Sequence, residues 1–261
     1  MIGNILLSKR ERDVKTMKVL SIGNSFSTDA TAYLHRAAVS AGVDLDTYNL
    51  YIGGCSLERH WDNVVREAKE YLLEINGEST ERMVSIQDMM ADHYDVITLQ
   101  QASHFSTRYE TYQPYLNQLT AWLKEHADFG ELALHQTWAY EQGSRRLTEE
   151  MGYEDQWEMF RDLKEAYEKA AGECGISVVI PCGQMFQYFL ADGFGKIHRD
   201  TFHALIPLGR YVLSLVWLAA LTGTSPKRVT FCPEGMHETL AECVRTLTAE
   251  HLREYEKVRK S

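Results

Sequence analysis

Five short apolar runs, at 18–23, 46–52, 95–100, 131–137 and 176–180, recur along the chain with stretches of helical spacing between them. Neighbouring parallel strands need a long return crossing, and amphipathic helices fill such crossings. The alternation therefore predicts an α/β chain whose parallel sheet is covered by helices on both faces.

The spacing places a first helix after Asp29, read as its N-cap, with Ala30, Tyr33, Leu34, Ala37, Ala38 and Ala41 in phase and Gly42 closing it. A second runs from Leu57 through Leu72 and ends near Asn76-Gly77, and short helical character returns at 85–93. Further helices are expected over 109–127 and 154–173, and Pro207 opens an apolar helix that ends at Gly223. The polar stretch 139–155 is the longest irregular segment and belongs at the carboxyl edge of the sheet, where substrate loops lie. Residues 224–261 read as a helix pair, or as one helix after a strand-like turn. Met17-Lys18-Val19 resembles a domain start, so residues 1–16 read as an extension and 17–261 as one domain.

At 261 residues the chain can bury a core that needs no metal or disulfide staple. Its 37 acidic against 27 basic residues give a net charge of −10, which argues against nucleic acid or an anionic membrane as partner. The five cysteines (Cys55, Cys174, Cys182, Cys232, Cys243) show no CxxC pair or zinc spacing and read as reduced thiols of a cytoplasmic protein. Cys55 reads as a small packed hydrophobe. Met1–Leu7 lacks the basic start and length of a secretory leader, and the apolar stretch 206–221 contains Arg210 and is too short to span a bilayer. His237-Glu238 is followed by no second histidine at helical spacing, so neither a metal nor a cofactor is expected.

The residues that bear chemistry fall at strand ends. Gly23-Asn24-Ser25-Phe26-Ser27 follows the first run and puts the Ser25 hydroxyl at the carboxyl edge of the sheet. The helix start beyond it offers amide N–H groups to a developing oxyanion, although Asn24, Ser25 and Ser27 would equally serve as caps. Asp200-Thr201-Phe202-His203 brings an Asp and a His three apart, so the carboxylate can hold one imidazole nitrogen while the other faces a serine. Gly53-Gly54 ends the second run, where a backbone N–H can point into a cleft or simply close a tight turn. Gln100-Gln101-Ala102-Ser103 ends the third, and a side-chain amide there can donate a further hydrogen bond.

In that order these segments resemble the SGNH (GDSL-type) hydrolase superfamily of esterases and carbohydrate deacetylases, over about residues 17–223. The resemblance implies a three-layer α/β/α, flavodoxin-like sandwich around a central, mostly parallel five-stranded sheet. It implies Ser25 as nucleophile, His203 as base, Asp200 as its orienter, and Gly54, or else Gly53, as an oxyanion donor. The third block departs from the family, since Leu-Gln-x-x-Ser stands where the usual pattern has Asn. Gln100 or Gln101 is then the candidate donor, only one of them facing inward. His135-Gln136-Thr137-Trp138 also resembles a recurrent feature of this branch, with Gln136, Trp138 and Asn24 as substrate-lining candidates. The expected partner is a small-molecule ester, such as an acetylated sugar. A binding protein on the same fold and an anion-binding doubly wound protein are the alternatives, the latter lacking both GxGxxG and a P-loop lysine.

Overall fold

The computed structural model of the protein describes residues 16–260. The expected extension thus lies, but for Thr16, outside the described residues. Strand β1 (Met17–Gly23) shows why the sheet is parallel at its centre: Val19, Leu20 and Ile22 are all buried, so both faces are covered. Its one polar interior residue, Ser21, accepts a hydrogen bond from the Thr98 hydroxyl. The chain continues through α1 (Ser25–Thr31), α2 (Leu34–Ser40), β2 (Leu45–Tyr51), α3 (Leu57–Arg66), β3 (Tyr71–Ile75), β4 (Glu78–Val84) and β5 (His93–Leu99). It closes with α4 (Tyr115–His126), β6 (Asp128–His135), α5 (Gln156–Cys174), β7 (Val178–Ile180), α6 (Cys182–Ala191), α7 (Leu208–Thr222) and α8 (Glu238–Lys260).

One sheet of seven strands, not the expected five, runs in the order β4-β3-β2-β1-β5-β6-β7. Its five parallel members match the five apolar runs. The other two form an antiparallel hairpin added beyond β2. Helices α1, α2 and α7 pack together, as do α3, α4 and α5. Pairing sets Gly23 level with Tyr51 and Ile22 level with Leu99, so the loops leaving β1, β2 and β5 emerge together at one edge. There the strand order reverses, which opens a crevice between diverging connections. Among the described residues no helix is long and apolar enough to cross a membrane.

The hairpin corrects the second expected helix. Helix α3 stops at Arg66 because Glu67 turns left-handed (φ 51°, ψ 42°), and 71–75 is a strand. Asn76 and Gly77, at φ 53° and 84°, form the two-residue turn that matches the twist of paired strands. The exposed outer strand β4 carries Glu78, Glu81 and Arg82, charges that discourage pairing with another chain. The first helix differs too. Asn24, not Asp29, is the N-cap, its side chain accepting from the Phe26 amide, and the segment to Ser40 is two short helices. The 85–93 segment forms only a single 3-10 turn, Gln87–Met89. Helices α4, α5 and α7 fall within the expected spans to a few residues, Pro207 capping α7 and Gly223 ending it.

Two consequences for stability follow. At Gly77 a Cβ would lie 2.4 Å from the Ala32 carbonyl oxygen, in a backbone conformation that L-residues avoid. Gly77→Ala should therefore lower stability by more than about 1 kcal/mol, read as a shift in urea midpoint at unchanged slope. Burial holds His60 and His135 down at about 3 and His198 at about 4. Their unfolded values lie near 6.5, so below that pH the unfolded chain binds protons that the folded chain refuses. Stability should fall as pH drops from about 6.5 towards 4, each histidine contributing up to about 1.4 kcal/mol per pH unit. Urea titrations at pH 7 and 5 measure the slope, and His198→Gln should flatten it.

Candidate active site

The turn after β1 is built around a position that admits no side chain. A Cβ on Gly23 would lie 2.4 Å from the Ser27 hydroxyl and 3.0 Å from the Gln100 Oε1. Asn24 follows in an extended conformation, and its side chain ties three segments together. The Oδ1 accepts from the Phe26 amide at 3.0 Å and from Gln100 Nε2 at 2.6 Å, while Nδ2 donates to the Cys55 carbonyl at 3.0 Å. With its neighbours so fixed, Ser25 opens helix α1 and faces the crevice.

Asp200 and His203 lie on the loop between α6 and α7. The His203 Nε2 stands 2.8 Å from the Ser25 Oγ, and its Nδ1 stands 2.8 Å from the Asp200 Oδ2. The Asp200 Oδ1 accepts from the His203 backbone N–H at 2.9 Å. Burial alone would raise the Asp200 carboxyl, yet hydrogen bonds from the His203 ring and backbone, with the charges of His203 and Arg199, hold it below the usual carboxylate range. The carboxylate orients the ring so that Nδ1 carries the proton and Nε2 presents a lone pair to the hydroxyl.

The loop is braced from two sides. On one, Asp29 is fully buried on α1, a turn beyond Ser25. Both its oxygens lie 2.9 Å from Arg199 Nη1, Oδ1 accepts from Arg210 Nε at 2.8 Å, and Oδ2 accepts from the Ala204 amide at 3.0 Å. On the other, Trp138 Nε1 donates to the Phe202 carbonyl at 2.7 Å and the Glu141 amide donates to the Thr201 carbonyl at 2.7 Å. Between these anchors Thr201 holds φ at 77°, a costly conformation for a β-branched residue.

Four expected side chains have other employment. Gln100 spends its amide N–H on Asn24, and its Oε1 lies 2.8 Å from His135 Nδ1. Gln101 accepts from the Leu57 amide at the start of α3 and donates to the Thr111 carbonyl. Neither Gln100 nor Gln101 therefore directs a donor at the crevice: both complete caps and turns that the chain would otherwise leave unsatisfied. Gln136 is buried and accepts from the Gln184 amide of α6. Trp138 is fully buried and stacks on Phe26 with ring centroids 4.2 Å apart, so neither it nor Gln136 lines the crevice.

The cleft itself, of about 360 Å³, takes Asn24, Ser25 and His203 on its floor and Gly53 and Gly54 on one wall. Gly54 holds φ at 62°, and no atom lies within 4 Å of where its Cβ would be. Tyr140 and Arg146 come from the polar stretch 139–155, as its placement at the carboxyl edge predicts. Sequence reasoning missed Tyr51, His104, Arg146 and Phe202. Phe202 stands inside the Asp-x-x-His segment, and His104 directly follows the Gln-Gln-Ala-Ser exit, so proximity to the motifs was the available signal. Burial, followed by the charges of Arg108 and Arg146, lowers the His104 ring below the ordinary histidine range. Cys55 is buried behind Gly54, and burial pushes its thiol up to about 12. Among the described residues no three His, Cys, Asp or Glu side chains are grouped to hold a metal.

The comparisons with known proteins agree with this architecture. A crystal structure of a DUF4886 family protein from Bacteroides uniformis is 33% identical, covering 91% of this chain and 95% of that one, with a TM-score of 0.85. A GDSL-like protein from Parabacteroides merdae is similar at 14% identity, 80% and 97% coverage and a TM-score of 0.56. Axe2, an acetylxylan esterase from Geobacillus stearothermophilus, shares the fold at 13% identity, 81% and 97% coverage and a TM-score of 0.53. No curated protein matches the sequence. The family described as a domain of unknown function, DUF4886, matches residues 18–251, and with the Bacteroides structure this shows that the chain belongs to the DUF4886 family.

Proposed function

We propose that this chain is a serine hydrolase of the SGNH kind that cleaves a short-chain ester, with an acetyl group on a carbohydrate as the substrate class the cleft fits. The observation that carries the reading is the line Asp200–His203–Ser25, two contacts of 2.8 Å at the mouth of a cleft. The parallel strand order β2-β1-β5-β6-β7 is that of flavodoxin-like proteins, and the crevice at its reversal is where such sheets bind ligands. The likeness to an acetylxylan esterase supports the fold, and the modest cleft of about 360 Å³ supports a small acyl group.

The reaction runs in two halves. His203 Nε2 takes the Ser25 proton as Oγ bonds to the ester carbonyl carbon, and the carbonyl electron pair moves onto oxygen. The backbone N–H groups of Ser25 and Gly54 hold that oxyanion. Neither amide makes a hydrogen bond within the described residues, so both are free to do so. The tetrahedral intermediate then expels the alcohol, which leaves with the proton from the imidazolium. Water, deprotonated by His203, repeats the attack on the acyl-enzyme and releases the acid. Because Gln100 and Gln101 are committed elsewhere, the oxyanion has two backbone donors and no side-chain amide. One missing donor costs on the order of 10²–10³ in rate, which leaves a working enzyme.

A fluorophosphonate should label Ser25, and Ser25→Ala should lose both the label and at least about 10³-fold in hydrolysis of an aryl acetate. Its urea midpoint should stay unchanged, and unaltered turnover would remove Ser25 from the reaction. Asp29→Ala should cost about 3–5 kcal/mol, because it strips two guanidinium groups of their buried partner. Urea unfolding measures the loss, and the same variant should hydrolyse the acetate more slowly at 15 °C, where it remains folded, since the loop bearing His203 has lost its anchor.

A further inference from the structure

The wall of the cleft carries a charge that ester hydrolysis does not use. Arg146 reaches the cleft from a five-residue π-helix (Arg146–Glu150) within the 139–155 stretch. Its guanidinium carbon lies 4.0 Å from the centroid of the Phe202 ring and 5.8 Å from that of Tyr140. Phe202 in turn contacts the His203 ring, with centroids 3.8 Å apart. The cation is thus held over an aromatic shelf that abuts the proposed base. Among the described residues its one ion pair is a loose contact to Glu150 at 3.7 Å, on a glutamate that is well exposed. Such a surface pair is worth little and yields to a better partner.

Among the described residues no Asp or Glu lines the cleft, in a protein with ten more acidic than basic residues. Beyond Ser25 and His203, the remaining polar lining is hydroxyl, amide and imidazole: Tyr51, Ser103, Tyr140, Asn24 and His104. A neutral substrate would gain little from a fixed guanidinium, whose planar fork is shaped for two parallel bonds to an oxyanion. We infer that the ester this chain cleaves carries a carboxylate, which Arg146 binds while the acyl group sits at Ser25. A single guanidinium balances one negative charge. A dianionic phosphate would leave charge uncompensated within an acidic protein, so carboxylate is the better match. The carbohydrate version is an acetylated sugar acid. Ser103, whose hydroxyl pairs with that of Tyr140 at 2.9 Å, and His104 line the same cleft on the loop after β5.

This inference rests on the esterase reading above, and the test separates the two. Acetate release from 4-acetoxybenzoate and from its methyl ester, which share the aryl acetate and differ in whether the carboxylate is free or methylated, is compared for the wild-type chain, Arg146→Gln and Arg146→Lys. The ratio of kcat/KM for the anionic over the neutral ester should fall about tenfold in Arg146→Gln, chiefly through KM, and Arg146→Lys, which keeps the charge but loses the planar fork, should restore only part of it. Raising the salt from 0.05 M to about 0.5 M should erode the wild-type ratio in the same direction. A purely structural Arg146, packed on Phe202, would lower both esters alike and leave the ratio unmoved, which would overturn the inference with the esterase intact. If the wild-type chain hydrolyses neither ester and Ser25 takes no fluorophosphonate, the esterase reading fails and the carboxylate site falls with it.

Discussion

The site depends on a buried carboxylate. Asp29 sits a turn beyond Ser25 on the same short helix and holds Arg199 and the Ala204 amide from the loop that carries His203, with Arg210 from the helix α7 that follows. An ionised carboxyl removed from water is tolerable only when its lone pairs are filled by charged donors, and here they are. The consequence is geometric. One helical turn bears both the hydroxyl and the anchor of the imidazole's loop, so the two move together, and a contact of 2.8 Å joins groups 178 residues apart.

A second constraint lies at the opposite side of the serine. Asn24 binds the exits of β1, β2 and β5 to one another, through the Phe26 amide, the Cys55 carbonyl and the Gln100 amide. Behind it Gln100 leans on His135, a buried neutral ring whose Nδ1–H donates to the glutamine oxygen. The chain from Asn24 to Gln100 to His135 crosses three neighbouring strand ends. Buried amides arranged in this way satisfy one another only in a single register, which fixes the edge of the sheet where the cleft opens.

Ser25, Asp200 and His203 were legible because their spacing has a local meaning: a strand end, a helix start and a three-residue step within one loop. The five parallel strands were legible from apolar runs for the same reason. Gln100, Gln101, Gln136 and Trp138 were misjudged because an amide or an indole at a strand exit has two destinations, cleft or cap. Only the positions of distant partners, such as the Leu57 and Gln184 amides and the Phe202 carbonyl, decide between them. The β3–β4 hairpin was misread through Leu72 although Asn76-Gly77, a strong hairpin pair, stood in the sequence. Helical spacing upstream masked it, since Glu67 ends the helix in a left-handed turn that glutamate seldom adopts. Asp29 looked like a cap because short polar residues before an apolar helix usually are; its partners, Arg199 and Arg210, lie too far along the chain to be inferred.

Thr201 carries a further implication. Its backbone alone would turn the other way, and only the surrounding ties to the Glu141 amide and the Asp29 cluster keep it wound. The segment bearing the proposed base is therefore under tension at rest. Those ties come from a loop amide and from one short helix, so whatever loosens them acts on the His203 segment without touching the strands beneath. The His203–Ser25 contact and the sheet are thus held by different interactions, and the contact can open locally without global unfolding.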